Sequence, residues 1–167
     1  SKKVDNESAR LIEDDPNKFI HTAVAFCKTI DDAEDLADDF IKVQENYFAE
    51  MSQAEKNSFV RVEADFVFGS RKRRGKIESM SSATRANKLH ALKATPLDGN
   101  TCRILNNVRC LAEGVDVPAL DAIIFMASKK SQVEIVQAVG RVMRTAPHKK
   151  FGYIIIPVVV PMNKSPE

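Results

Sequence analysis

The 167 residues suit one domain with a substantial core: 44% are hydrophobic and 29% charged, an ordinary globular balance. The net charge of +2 conceals two opposed patches, DDAEDLADD at Asp31–Asp39 and RKRRGK at Arg71–Lys76, so a local basic surface for nucleic acid stays open. No apolar run approaches the roughly 18 to 20 residues that span a bilayer, and Ser1–Arg10 lacks a signal-peptide pattern, so no membrane partner is expected; the three cysteines, odd in number and without a pairing pattern, predict reduced thiols and a cytoplasmic location.

Taken in order, Ser1–Pro16 is polar, with a short helix possible through Ala9–Ile12. Ile20–Cys27, IHTAVAFC, reads as a buried strand. Thr29 and Asp32 then form a capping box, and Ala33, Leu36, Ala37 and Phe40 recur at helical spacing, which leaves the acidic run as a solvated helix face rather than a metal site. Gln44–Asn57 is helical or irregular. Phe59–Phe68 is the second strand, and Gly69–Ser82 reads as a long polar loop. Ala83–Ala94 is a helix capped by Ser81, Ser82 or Thr84. After a turn at Leu97–Asn100, Cys102–Leu111 and Ala119–Met126 are strands. Ser131–Arg144, SQVEIVQAVGRVMR, is a helix opened by a capping box of Ser131 and Glu134. Phe151–Val160 closes the chain as a strand, with Pro157 marking an edge or a strand end.

Strands alternating with helices predict an α/β fold, a mostly parallel sheet flanked by helices on both faces, whose ligands sit beyond the carboxyl ends of the strands. That rule places Lys28 and Thr29, the Gly69–Ser82 loop, Val108–Asp116 and Met126–Ser131 along one rim.

The common chemistries are poorly represented. No two glycines are separated by a single residue, so GxGxxG is impossible. The nearest match to a phosphate loop, from Gly69, is one residue too long and has Ile77 where Ser or Thr would hold magnesium. No strand end carries an Asp-Glu pair. His21, His90 and His148 are scattered, and Cys27, Cys102 and Cys110 lack zinc-site spacing, so no metal ligand is assigned and the thiols read as reduced and buried.

What remains is the helix at Ser131. At about 100° per residue, Gln137, Arg141 and Arg144 share one face within about 60°, with Gly140 beside them and Ile135, Val139 and Val142 opposite. Glycine at mid-helix costs roughly 1 kcal/mol against alanine, which suggests close approach of a ligand or another backbone. Two guanidiniums can clamp a phosphate bidentately; a surface salt-bridge face is the plainer alternative.

EGVDVP at Glu113–Pro118, one strand, and then QAVGRVMR at Gln137–Arg144 resemble motifs V and VI of superfamily 2 helicases and translocases, the latter with the pattern QxxGRxxR. AFCKTIDDAEDLADDF resembles motif IV and its helix, and the similarity extends over about Ile20–Val160. The resemblance implies the second of two RecA-like domains, a three-layer fold in which residues 20–160 form the domain, 1–19 lead into it, and 161–167 run toward the rest of a longer parent. The absence of an initial Met fits such an excised piece. It further implies that ATP with Mg2+ is held mainly by an N-terminal RecA-like domain of the same parent. Arg141 and Arg144 would then be arginine fingers, Gln137 an interface support, Gly140 the point of close approach, and Gly114 and Asp116 a turn facing the ribose or the interface. Asp116 could equally serve as an Asx-turn residue.

On the nucleic-acid side, Lys28, Thr29, Asn107, Val108 and Arg109 match regions that touch the phosphate backbone in the family. Glu113 and Gln137 differ from the DEAD-box pattern and favour DNA over RNA, as in translocation, repair and restriction enzymes. The isolated domain is expected to be inactive. Two rivals are a non-catalytic α/β module that docks phosphate or acidic protein, and a small Rossmann enzyme, which the missing glycine loop disfavours. The basic loop Arg71–Lys76 reads as solvated, or else tracks nucleic acid.

Overall fold

The computed structural model describes residues 20–95, 99–108, 120–127, 132–144, 149 and 151–158. The first strand, β1 (Thr22–Phe26), is buried along its whole length, as a continuous apolar run requires when both faces of a sheet are covered. Helix α1 (Ile30–Ala49) starts at the predicted capping box: Thr29 Oγ1 accepts from the Asp32 N–H at 3.0 Å, and the Thr29 N–H donates back to Asp32 Oδ2 at 3.0 Å. A short helix, α2 (Gln53–Ser58), opens on a second capping box, Ser52 with Glu55. Strand β2 (Arg61–Val67) follows, and helix α3 (Ser82–Lys93) is capped by Ser81. Strands β5 (Thr101–Asn107) and β6 (Ala122–Phe125), helix α4 (Gln132–Val142) and strand β7 (Tyr153–Ile155) complete the main body. Strand β5 stops short of the predicted Leu111, since Val108 is already outside it. Ser131 and the side chain of Glu134, the predicted cap of α4, lie outside the described residues, as do Cys110 and the Ala9–Ile12 segment.

The five strands lie in the order β2-β5-β1-β6-β7, and every pairing is parallel. Helix α1 covers one face, where Leu36 and Phe40 pack on Ala23, Ala25, Ile104 and Ile124. Helices α3 and α4 cover the other, where Leu92, Val139 and Val142 meet Val24, Leu105 and Ile123. The chain thus travels from β1 to β2 across one face, and from β2 to β5 and from β6 to β7 across the opposite face. These crossovers run in opposite directions on opposite faces, so they share one hand, as sheet twist imposes. The architecture is the predicted three-layer α/β arrangement.

Register aligns the carboxyl ends of the strands. Phe26 pairs with Asn107 and with Phe125, and Val67 also pairs with Asn107. The residues that follow them, Cys27–Thr29, Phe68–Ser70, Val108 and Met126, therefore occupy one edge of the sheet. His21, Asn100 and Asp121 occupy the opposite edge.

The segment expected to be a polar loop is instead a separate two-stranded antiparallel hairpin, β3 (Ser70–Arg73) and β4 (Lys76–Ser79). Its strands bury little, so the apolar alternation that reveals a strand is missing from the sequence. Arg74 and Gly75 turn the chain with φ of 50° and 81°, the pair of positive values that a two-residue hairpin turn matched to strand twist requires. Glycine takes that conformation freely, whereas a residue with Cβ, such as Arg74, loses about 1 kcal/mol in it.

Candidate functional site

Helix α4 leaves the sheet after β6 at the carboxyl edge and ends beside the start of β7 at the amino edge, so it runs down the outer layer from one edge to the other. Its apolar side is as predicted: Val142 is buried and Ile135 and Val139 are half-buried. Gln137, Gly140 and Arg144 are exposed on the opposite side. A Cβ built on Gly140 would meet nothing within 4 Å, so no described residue requires glycine there. Arg141 lies in the helix between them; its side chain is outside the described set.

The lower end of α4 is held by a clamp that spacing and periodicity do not reveal. The Asp121 carboxylate is buried and accepts from the His21 N–H at 2.9 Å, the Thr22 N–H at 3.0 Å and Thr22 Oγ1 at 3.3 Å. Close by, the Lys149 ammonium donates to the carbonyls of Leu120 and Val142. Val142 is the last residue of α4, so this cation satisfies an orphan carbonyl and meets the negative end of the helix dipole. Burial pulls the Lys149 pKa down, and the charge of Asp121 opposes that shift. Gly152 touches the same carbonyl so closely that a Cβ there would collide with it. The only sequence signal for the clamp is an acidic residue, Asp121, leading into an apolar strand.

Cys27 and Cys102 are buried thiols. Burial, helped by the charge of Asp121, pushes the Cys102 thiol up to about 12, so it is protonated and unreactive at neutral pH.

At the carboxyl edge, β1 and β6 are neighbours, and their following connections depart to opposite sides of the sheet. Between them lies an open cleft of about 380 Å³ whose lining includes Lys28, Asp32, Asp35, Asp39, Met126 and Ala127. This is the topological switch point at which sheets of this kind receive ligands. Lys28 and Thr29 are exposed there, yet the N–H and hydroxyl of Thr29 are engaged in the capping box, and three carboxylates set a negative potential beside Lys28. Val108 is half-buried on the same edge. Asn107 lies beneath the edge: its side chain is fully buried, which leaves it no direct reach to a surface ligand in this arrangement, and its carbonyl accepts from the Cys27 N–H at 3.0 Å. The neighbouring Asn106, also fully buried, ties β5 to α1 by donating to the Ala33 carbonyl at 3.0 Å. Arg109, Gly114 and Asp116 lie outside the described residues.

The edge and the outward face of α4 are therefore separate surfaces. Among the described residues no group of three His, Cys, Asp or Glu is placed to hold a metal ion, and no helix is long and apolar enough to cross a membrane.

A sequence profile described as "Helicase conserved C-terminal domain" matches residues 8–146. "Putative helicase 22" of Sulfolobus islandicus filamentous virus (isolate Iceland/Hveragerdi) is 34% identical over 71 residues, which make up 42% of this chain and 12% of that protein. The matched part is thus a small fraction of the viral protein's length. Among solved structures, the C-terminal domain of the DEAD-box protein Dbp5 superposes with a TM-score of 0.51 over 89% of this chain and 68% of that one, at 14% identity, a likeness of fold.

Proposed function

Because the chain belongs to the helicase conserved C-terminal domain family of superfamily 2 and has its RecA-like α/β fold, we propose that it is the second motor domain of an ATP-dependent helicase or translocase. The observation that carries this reading is the outward face of α4, where Gln137, Gly140 and Arg144 are exposed and no packing among the described residues explains the glycine.

An N-terminal RecA-like domain of the same parent docks against that face. ATP with Mg2+, bound mainly by that domain, supplies the phosphoryl group that is transferred to water. The residues here fit such a ligand in one respect that counts: the open space over Gly140 admits a phosphate or a facing backbone beside the arginines. Arg141 and Arg144 place guanidinium charge where negative charge develops on the phosphoryl oxygens, and their planar forks favour bidentate contact. Gln137, one turn earlier, hydrogen-bonds across the interface and fixes its spacing. Gly114 and Asp116 would serve the ribose or the interface, as the motif V resemblance implies. Lys28, Thr29, Val108 and Arg109 are the residues that would meet the strand being moved, which is DNA rather than RNA given Glu113 and Gln137. Asn107 supports that edge from below.

An arginine finger contributes about 10³ to 10⁵ in rate. In the full-length parent, Arg141→Ala and Arg144→Ala should each lower nucleic-acid-stimulated ATP turnover by about 10³ or more while nucleotide binding is largely kept. The 167-residue chain alone should not hydrolyse ATP. Near-normal turnover in both variants would sink the assignment.

A further inference from the structure

We propose that the β3–β4 hairpin is a nucleic-acid contact, with Lys72, Arg74 and Lys76 on backbone phosphates and Ile77 against a sugar or base. The inference rests on the motor reading above and adds a surface to it.

Four observations converge on the hairpin. It springs from the carboxyl end of β2, on the sheet edge where ligands bind, and the Met80 N–H donating to the Gly69 carbonyl at 3.1 Å closes its base. Its posture is fixed from one side only. Arg71 donates to Glu34 Oε2 at 2.6 Å, to Asp31 Oδ1 at 3.0 Å and to Glu78 Oε2 at 2.8 Å, its guanidinium lies 5.2 Å from the Phe68 ring centroid, and Arg73 reaches Glu34 at 3.3 Å.

Pairing then sorts the other side chains. Arg71 is opposite Glu78, and Lys72 is opposite Ile77, so alternation turns Lys72 and Ile77 away from α1, whereas Lys76, opposite Arg73, lies on the side tethered to α1 and reaches solvent from beside the turn. Lys72, Arg74 and Lys76 are exposed and have no ion pair among the described residues, and Ile77 is 79% exposed. Finally, the apex holds an arginine in a left-handed conformation that asparagine or glycine would adopt with less strain. A residue that is worse for the turn but cationic suggests selection for charge at the tip.

Three cations and one apolar side chain on a rigid, two-stranded projection match a polyanion with apolar faces. Beside Lys28 three carboxylates oppose the lysine's charge, so the hairpin adds the cations that this part of the edge lacks. An acidic protein segment would satisfy the cations but gives Ile77 no defined role.

The test compares the 167-residue chain with Lys72→Gln/Arg74→Asn/Lys76→Gln and with Arg74→Asn alone. Binding to a fluorescent 20-nucleotide single strand and to a forked duplex is followed by anisotropy over 50–200 mM salt. Each lost phosphate contact removes about 0.7 to 0.9 from the slope of log K against log salt, so the triple variant should lose about 2 and Arg74→Asn about 0.7. Arg74→Asn should at the same time hold or raise the urea midpoint, opposite signs that a merely structural arginine would not give. Ile77→Ser should weaken binding to the single strand and the fork while leaving the salt slope unchanged.

Unchanged slopes in the triple variant overturn the proposal. So does loss of binding to polyglutamate with DNA affinity retained, which would assign the hairpin to an acidic protein. Intact ATP turnover by the parent alongside unchanged slopes would overturn the hairpin contact alone, whereas a parent that neither hydrolyses ATP nor binds nucleic acid would overturn the motor reading.

Discussion

The hairpin and helix α4 both carry conspicuous arginines, but they use them differently. Arg71 is bound on three sides by carboxylates of its own chain and is only 11% exposed, so its charge is consumed in holding β3–β4 on α1. Gln137, Gly140 and Arg144 face outward from a helix whose opposite side is packed into the core. The densest run of positive charge in the sequence is therefore partly internal scaffolding. Charge density is a poor guide until each cation's partners are known.

Glycine substitutions test this contrast most sharply. Gly152→Ala drives a Cβ into the Val142 carbonyl and should destabilise the chain by about 1 to 3 kcal/mol, read as a lowered urea midpoint. Gly140→Ala should do the reverse, gaining about 1 kcal/mol from helix propensity. In the parent it should nonetheless slow ATP turnover, because the added methyl group stands where the partner domain approaches. If Gly140→Ala stabilises the chain and leaves turnover intact, the outward face of α4 is ordinary surface.

Arg71→Gln comes next. It removes three charge-assisted hydrogen bonds, two of them to exposed carboxylates that water screens well, so a net loss of about 1 to 2 kcal/mol is expected, concentrated in the hairpin. Hydrogen exchange of the β3 and β4 amides should accelerate while that of β1 and β5 does not. A uniform change across the sheet would mean that the hairpin is integral to the core.

The smallest effect is one of pH. Hydrogen bonding from Arg71 holds the Glu34 carboxyl below its ordinary value of 4.5. A carboxylate lowered in the folded state stabilises fully above the ordinary value and loses that contribution as pH falls through the lowered one. Hairpin amide chemical shifts should accordingly stay constant from neutrality to about pH 5 and move below it, with Glu34→Gln reducing the amplitude of the transition and Asp31 and Glu78, on the same guanidinium, leaving a remainder.

Much of this architecture was legible in the residue order. The apolar run at β1, the Thr29–Asp32 capping box, the Ser81 cap and the apolar stripe of α4 each have a local signature, and each is found where it was expected. The hairpin was missed for a physical reason: ion pairs across its strands and to α1 replace the burial that produces alternation. The Asp121–Lys149 clamp was missed because its partners are brought together by the sheet, with no periodicity to join them. Asn107 ends its strand with the side chain turned into the core, and the one-residue alternation that decides this depends on where a strand stops.

The attachment of α4 also governs how force passes through the domain. Its last carbonyl is gripped by Lys149 and pressed against Gly152, while its inner side is seated on β1 and β6. These contacts oppose rolling or sliding of the helix when its outward face is pulled. Displacing α4 would therefore strain the edge strand β7 and, through the parallel pairing, the rest of the five-stranded sheet.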